Sequence, residues 1–150
     1  MIIDILFTVF LVALNGFFVA AEFAIVKVRA SQIDLKAKEG HRMAKLSKHI
    51  IANLDSYLSA TQLGITIASL GLGWIGEEVV AQLVLNFFDF TGLTLSPEAA
   101  HRISLPVAFS VITVLHIVFG ELAPKSYAIQ RPESTTLWLA APLNVFYWVF

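Results

Sequence analysis

Phe119-Gly120-Glu121-Leu122-Ala123-Pro124-Lys125 closes an apolar run, Ile103 to Phe119, and sets a carboxylate, a proline and an amine at its end. Proline inside a helix has no N–H to donate and its ring clashes with the carbonyl four residues back. Pro124 therefore withholds a hydrogen bond from the carbonyl of Gly120, next to the Glu121 carboxylate, with Lys125 one helical turn beyond the acid. A loose carbonyl beside a carboxylate at the end of a membrane helix makes an oxygen-rich corner of the kind hard cations prefer. The same residues also read as a plain helix terminus at the membrane edge, with Glu121 and Lys125 paired at i,i+4. Spacing alone leaves both readings open.

The remainder of the chain decides the fold class. Its 150 residues suit one domain, but 57% are apolar and only 14% charged, against about 25% charge in a soluble domain. The mean hydropathy is +0.77, and several apolar stretches approach or exceed the roughly 20 residues that cross a bilayer. An all-α integral membrane protein follows. Seven of the ten Lys and Arg residues lie between Lys27 and Lys48, which the positive-inside rule assigns to the cytoplasm, leaving the N-terminus outside a multi-pass inner (plasma) membrane protein. There is no cysteine, hence no disulfide or thiolate metal site. The N-terminus lacks the basic region of a signal peptide, and positive charge follows its apolar stretch, so it reads as a retained anchor.

Three spans are expected, over about residues 2–26, 54–75 and 103–123. The first carries Asn15 and Glu22 on one face, and a small-residue line, Gly16, Ala20 and Ala24, that admits another helix closely. Glu22 should face protein or pair with Lys27 or Arg29 at the interface. Ala30 to Asn53 reads as one or two amphipathic helices along the cytoplasmic face, broken near Gly40, whose basic run suits anionic lipid headgroups. Nucleic acid is disfavoured, because no aromatics interleave the charges. The second span opens near Asp55, a candidate N-cap, and carries Ser59, Gln62, Thr66 and Ser69 beside Ala60, Gly64 and Ala68. Such paired stripes belong at a helix contact or a hydrated cavity.

Gly71-Leu72-Gly73-Trp74-Ile75-Gly76 matches G-x-G-x-x-G, but no strand precedes it and no βαβ pattern surrounds it. The glycines read instead as close packing and helix loosening, with Trp74 an interfacial anchor. Val79 to Phe90 suggests a short amphipathic or re-entrant helix, and Ser96-Pro97 opens the third span as N-cap and first helical residue. His116 shares a face with Gly120 and reads as a packed, hydrogen-bonded residue, since no second His or thiolate accompanies it. Residues 137–150 begin a further apolar segment that stops in mid-pattern, which suggests a longer protein.

Three stretches together resemble the transmembrane domain of the CorC/cyclin-M (CNNM) family, in its bacterial hemolysin-like branch. They are Asn15-Gly16-Phe17-Phe18-Val19-Ala20-Ala21-Glu22-Phe23-Ala24, then Gln62-Leu63-Gly64-Ile65-Thr66 with Gly71 to Gly76, and Phe119 to Lys125. The resemblance implies one transmembrane domain over residues 1–150, a cytoplasmic belt helix and homodimerisation. It also implies transport of magnesium, coupled to sodium. Full-length members of the family continue into paired CBS modules that bind adenine nucleotides, which these residues do not include. By the same resemblance Glu121 matches the acid of an E-x-x-P-K motif and Gly64 the glycine of the second-helix motif. This chain departs from the pattern at Val19 and Ala21, where the family brings serines, and at Ile65, where it brings asparagine.

Two functions compete. The first is a dimeric cation transporter domain whose metal site draws on Glu121, Gly120, Gly64, Thr66, Ser69, Asn15 and Glu22, with Mg²⁺ the expected ion and other divalent cations or Na⁺ open. The second is a membrane scaffold or sensor that anchors cytoplasmic regulatory domains and moves no ion. An enzyme is not expected, because no nucleophile–base constellation is present and the four histidines are scattered.

Overall fold

The computed structural model describes residues 1–93 and 95–150, and within them every regular element is helical. In order they are α1 (Ile2–Lys27), α2 (Ala30–Lys38), α3 (Arg42–Ala52), α4 (Leu54–Thr91), α5 (Pro97–Ile117), a π segment (Val118–Leu122), α6 (Ala123–Gln130) and α7 (Pro132–Val149). Among the described residues three stretches are long and apolar enough to cross a bilayer: Ile2–Lys27, Leu54–Thr91 and the continuous Pro97–Gln130. Nine of the ten Lys and Arg residues follow from Lys27 to Lys48 and at Lys125 and Arg131, at one end of the bundle, with Arg102 alone in the other half.

The first of these helices is the hub. Its Gly16, Ala20 and Ala24 are buried, so α4, the π segment, α6 and α7 all approach it closely. A methyl group on Gly16 would meet Pro124 Cγ at 3.0 Å and the Phe119 carbonyl at 3.3 Å. On the facing helix, Gly64 and Ala68 are buried as well, and a methyl on Gly64 would lie 2.6 Å from the Phe18 ring. Gly16, Ala20, Ala24, Gly64 and Ala68 therefore serve packing within the chain, while Ala60 is only half-buried. At the basic end Ile25, Ile50, Tyr57, Ala140 and Leu143 form one core, joining α1, α3, α4 and α7. Tyr57 is fully buried there; its hydroxyl donates to Asn144 Oδ1 at 2.7 Å, and its ring stacks on Tyr147 at 4.3 Å. Toward the other end Leu11, Leu72 and Ile112 join α1, α4 and α5.

Several boundaries differ from the expected ones for identifiable reasons. The second span does not end at Ile75 before a separate short helix; α4 runs unbroken for 38 residues, about 57 Å at 1.5 Å per residue. It therefore outruns a hydrocarbon core of roughly 30 Å. Glycine weakens a helix by about 1 kcal/mol relative to alanine, but two of the three glycines are recruited for packing: Gly71 lies against Leu11, and Gly76 against Ile112 and Thr8. Asn53, not Asp55, occupies the N-cap of α4, and Asp55 sits inside the first turn. The break at Gly40 is present, with φ of 90° that a side chain would strain. Ser96 caps α5 through a bond from the Ala99 N–H at 3.2 Å, with Pro97 following.

Candidate functional site

Pro124 does not end its helix. The backbone widens over Val118–Leu122 into a π turn, in which the Ala123 N–H reaches back five residues to the Val118 carbonyl. Such bulges let a helix absorb a register error and continue, and here the chain runs on as α6 to Gln130. The plain helix terminus considered for this stretch is therefore not what forms.

The carbonyl that Pro124 cannot bond is occupied from another helix. Asn15, fully buried, donates from Nδ2 to the Gly120 carbonyl at 2.9 Å. Its Oδ1 accepts from Ser69 Oγ at 3.2 Å, and the same hydroxyl lies 3.3 Å from His116 Nε2. Three spanning elements thus meet in a closed polar junction. A side chain at Gly120 would destroy it, since a methyl there would meet His116 Cδ2 at 2.9 Å and Asn15 Nδ2 at 3.1 Å. Asn15 is 12 residues from Lys27 on α1, about 18 Å along the axis, which puts the junction well inside a core of roughly 30 Å.

Of the seven residues expected to bind metal, the structure joins three directly: Asn15, Ser69 and Gly120. The other four stand apart from that network. Gly64 lies under the Phe18 ring. Thr66 is exposed, its hydroxyl bonded at 2.9 Å to the Gln62 carbonyl of its own helix. Glu22 is half-buried, without an ion pair to Lys27 or Arg29 among the described residues. Glu121 is exposed on the π segment and does not pair with Lys125. Lys125 instead places Nζ 4.7 Å above the Phe23 ring, a cation–π arrangement.

His116 is the member of the junction that the expected metal set omitted, and its i,i+4 relation to Gly120 was the available signal. Among the described residues no three of His, Cys, Asp and Glu stand close enough to hold a metal ion. The junction itself offers amide, hydroxyl and carbonyl oxygens, and with the neighbouring Glu121 carboxylate these would make a donor set for hard ions. The Gly120 carbonyl has a second lone pair beyond the one Asn15 uses.

Residues 6–150 match the family model described as the cyclin M transmembrane N-terminal domain. The chain is 50% identical over 137 residues to the UPF0053 protein YhdT of Bacillus subtilis, covering 91% of this chain and 29% of the relative. It is 43% identical over 146 residues to YhdP of the same organism, covering 97% and 32%. The UPF0053 protein sll0260 of Synechocystis is 36% identical over 143 residues, covering 95% and 32%. The chain thus spans about a third of the length of these curated relatives.

Proposed function

The chain belongs to the cyclin M transmembrane N-terminal domain family, and from that premise we propose that it is the membrane domain of a divalent-cation transporter. Mg²⁺ is the ion proposed, with Na⁺ as a coupling ion and the Glu121 carboxylate as the charged ligand. The observation that carries this reading is the π segment at mid-span, in which an exposed carboxylate directly follows a residue whose carbonyl is tied to Asn15, itself bonded by Ser69. A carboxylate facing lipid at that depth costs about 2.5–3.5 kcal/mol or more. Glu121 therefore needs water, an ion or a second protomer over it. Ser59, Gln62 and Thr66 are exposed on α4 in the same way, so a homodimer enclosing a hydrated cavity accounts for both polar surfaces. The basic end faces the cytoplasm in this arrangement, with Met1 outside and α2–α3 as the belt.

Ion-dependent thermal stability tests the reading, measured with Mg²⁺, Mn²⁺, Co²⁺ and Na⁺ for wild type, Glu121→Gln and Pro124→Ala. Glu121→Gln keeps the shape and should lose most of the cation response with little change in the ion-free melting temperature. Pro124→Ala restores an N–H that competes with Asn15 for the Gly120 carbonyl, and should weaken the response less. Equal responses from all three proteins would sink the ion site. Proteoliposome flux then separates binding from transport.

One observation favours a scaffold or sensor instead. Where the family resemblance would bring serine oxygens, Val19 and Ala21 are apolar and only 5% and 1% exposed. A stabilising ion without measurable flux would select that reading.

A further inference from the structure

At the basic end a cleft of about 1020 Å³ opens between α2 and the corner where α6 meets α7. Lys27, Arg29, Lys36 and Arg131 line it together with Glu133. Lys36 Nζ holds Glu133 at 2.8 Å, while Lys27, Arg29 and Arg131 have no acidic partner among the described residues. Two helices begin at the rim, α2 after Arg29 and α7 after Arg131, and neither has a side-chain cap. Their first N–H groups add partial positive charge to the same space. A solvated patch of cations needs no ligand. Here, however, the cations bound a concave space, and one wall of it is not polar.

That wall is Trp138, which also borders a second, apolar groove of about 360 Å³ formed with Phe17, Ala20, Tyr127 and Leu139. Trp138 is 81% exposed, as suits an aromatic at the headgroup level. Thr135, one helical turn before it, lines the groove too; the residue is 4% exposed and its hydroxyl has no hydrogen-bond partner among the described residues. A cationic cleft and an apolar groove sharing a tryptophan match an amphipathic anion. They match neither a small polar metabolite nor an aliphatic chain alone.

We propose that this two-part surface binds an anionic phospholipid from the leaflet at the basic end. The phosphate sits among Lys27, Arg29 and Arg131, and one acyl chain runs along Phe17, Tyr127 and Leu139. The ligand would brace the corner where the chain turns at Arg131 from α6 into α7. This site is independent of the ion reading, and either can fail without the other.

The test uses the purified chain in neutral detergent, titrated with dioctanoyl phosphatidylglycerol, dioctanoyl phosphatidylcholine and glycerol 3-phosphate. Native mass spectrometry counts bound molecules, and melting temperature reports stabilisation. Phosphatidylglycerol should bind and stabilise; Arg131→Gln should weaken it roughly fivefold, and Lys27→Gln with Arg131→Gln roughly thirtyfold, at about one surface-cation contribution each. Trp138→Ala should weaken phosphatidylglycerol and leave glycerol 3-phosphate unchanged. Equal binding of phosphatidylcholine would remove the role of the cations. Glycerol 3-phosphate binding as tightly as the lipid would remove the groove and leave a soluble phosphate site, overturning the proposal. Unchanged binding in both charge variants would overturn it too; should the double variant misfold, the exposed single sites Arg131 and Trp138 decide.

Discussion

Ser69 and Thr66 stand nearly one turn apart on α4, both hydroxyls within an apolar helix, and they meet opposite fates. Ser69 turns inward and bonds Asn15 across to α1, whereas Thr66 turns outward and bonds only the Gln62 carbonyl of its own helix. The contrast extends to whole regions. Around Ser69, each polar side chain has a partner on another helix, and the region behaves as core. Along the same helix as Thr66, Ser59 likewise bonds its own helix at Asp55 and Gln62 is exposed, as Glu121 is on the π segment. A membrane protein has reason to close the first kind of region for stability and to leave the second kind for water, an ion or a second subunit.

The sharpest way to break the comparison is Asn15→Leu. It removes the donor to Gly120 and the acceptor for Ser69 and forces a branched apolar side chain between them. The expected loss is about 2–3 kcal/mol of protomer stability, read as a fall in unfolding free energy in detergent or bicelles. A loss under about 0.5 kcal/mol would mean that water substitutes freely and that the junction is as open as the Thr66 face.

Gly64→Ala comes next, at roughly 1–3 kcal/mol, because the added methyl would need the space of the Phe18 ring, 2.6 Å away. Phe18→Ala in the same chain should recover part of that loss. The effect should appear in the protomer itself, at any protein concentration. A change confined to assembly would show that the α4 strip faces a partner after all.

What was legible beforehand follows the same division. The three spans, the Gly40 break and the Ser96 cap are local and show in pattern. Asn15, Gly120 and Ser69 could be chosen as polar residues in apolar company, yet their meeting depends on how α1 and α4 turn toward each other. That turn is set by Gly16, Ala20, Gly64 and Ala68, which spacing alone cannot assign to one protomer or two. Pro124 gave a clear signal of a freed carbonyl but none of the π turn that keeps the helix going. The Tyr57–Asn144 bond links residues 87 apart in sequence, and no local pattern announces it.

Lys125 offers a smaller test. Its amine sits over Phe23 instead of pairing with Glu121, so a double-mutant cycle between Lys125→Met and Phe23→Leu should yield a coupling of about 0.5–1 kcal/mol. The cycle between Lys125→Met and Glu121→Gln should yield about zero. Reversal of the two couplings would return Glu121 to the role of a salt-bridge partner and weaken its candidacy as an ion ligand.

The smallest expected effect is the most informative about the outer face. Thr66→Val preserves shape and removes a hydroxyl whose bond lies within its own helix, so protomer unfolding should change by no more than about 0.5 kcal/mol. Ser69→Ala should cost more, about 0.6–1.7 kcal/mol, because its bond crosses between helices. If the exposed face of α4 is covered by a second copy, Thr66→Val acquires a separate signature. Protomer unfolding stays put, while dimer dissociation or cation response shifts, since a hydroxyl would leave a shared polar cavity. Measuring unfolding and dissociation on the same two variants therefore distinguishes a face turned to lipid from one turned to a partner. With Thr66→Val silent in both, the polar line on α4 would be an inert consequence of sequence, and the hydrated cavity would have to be built from Glu121 and the junction alone.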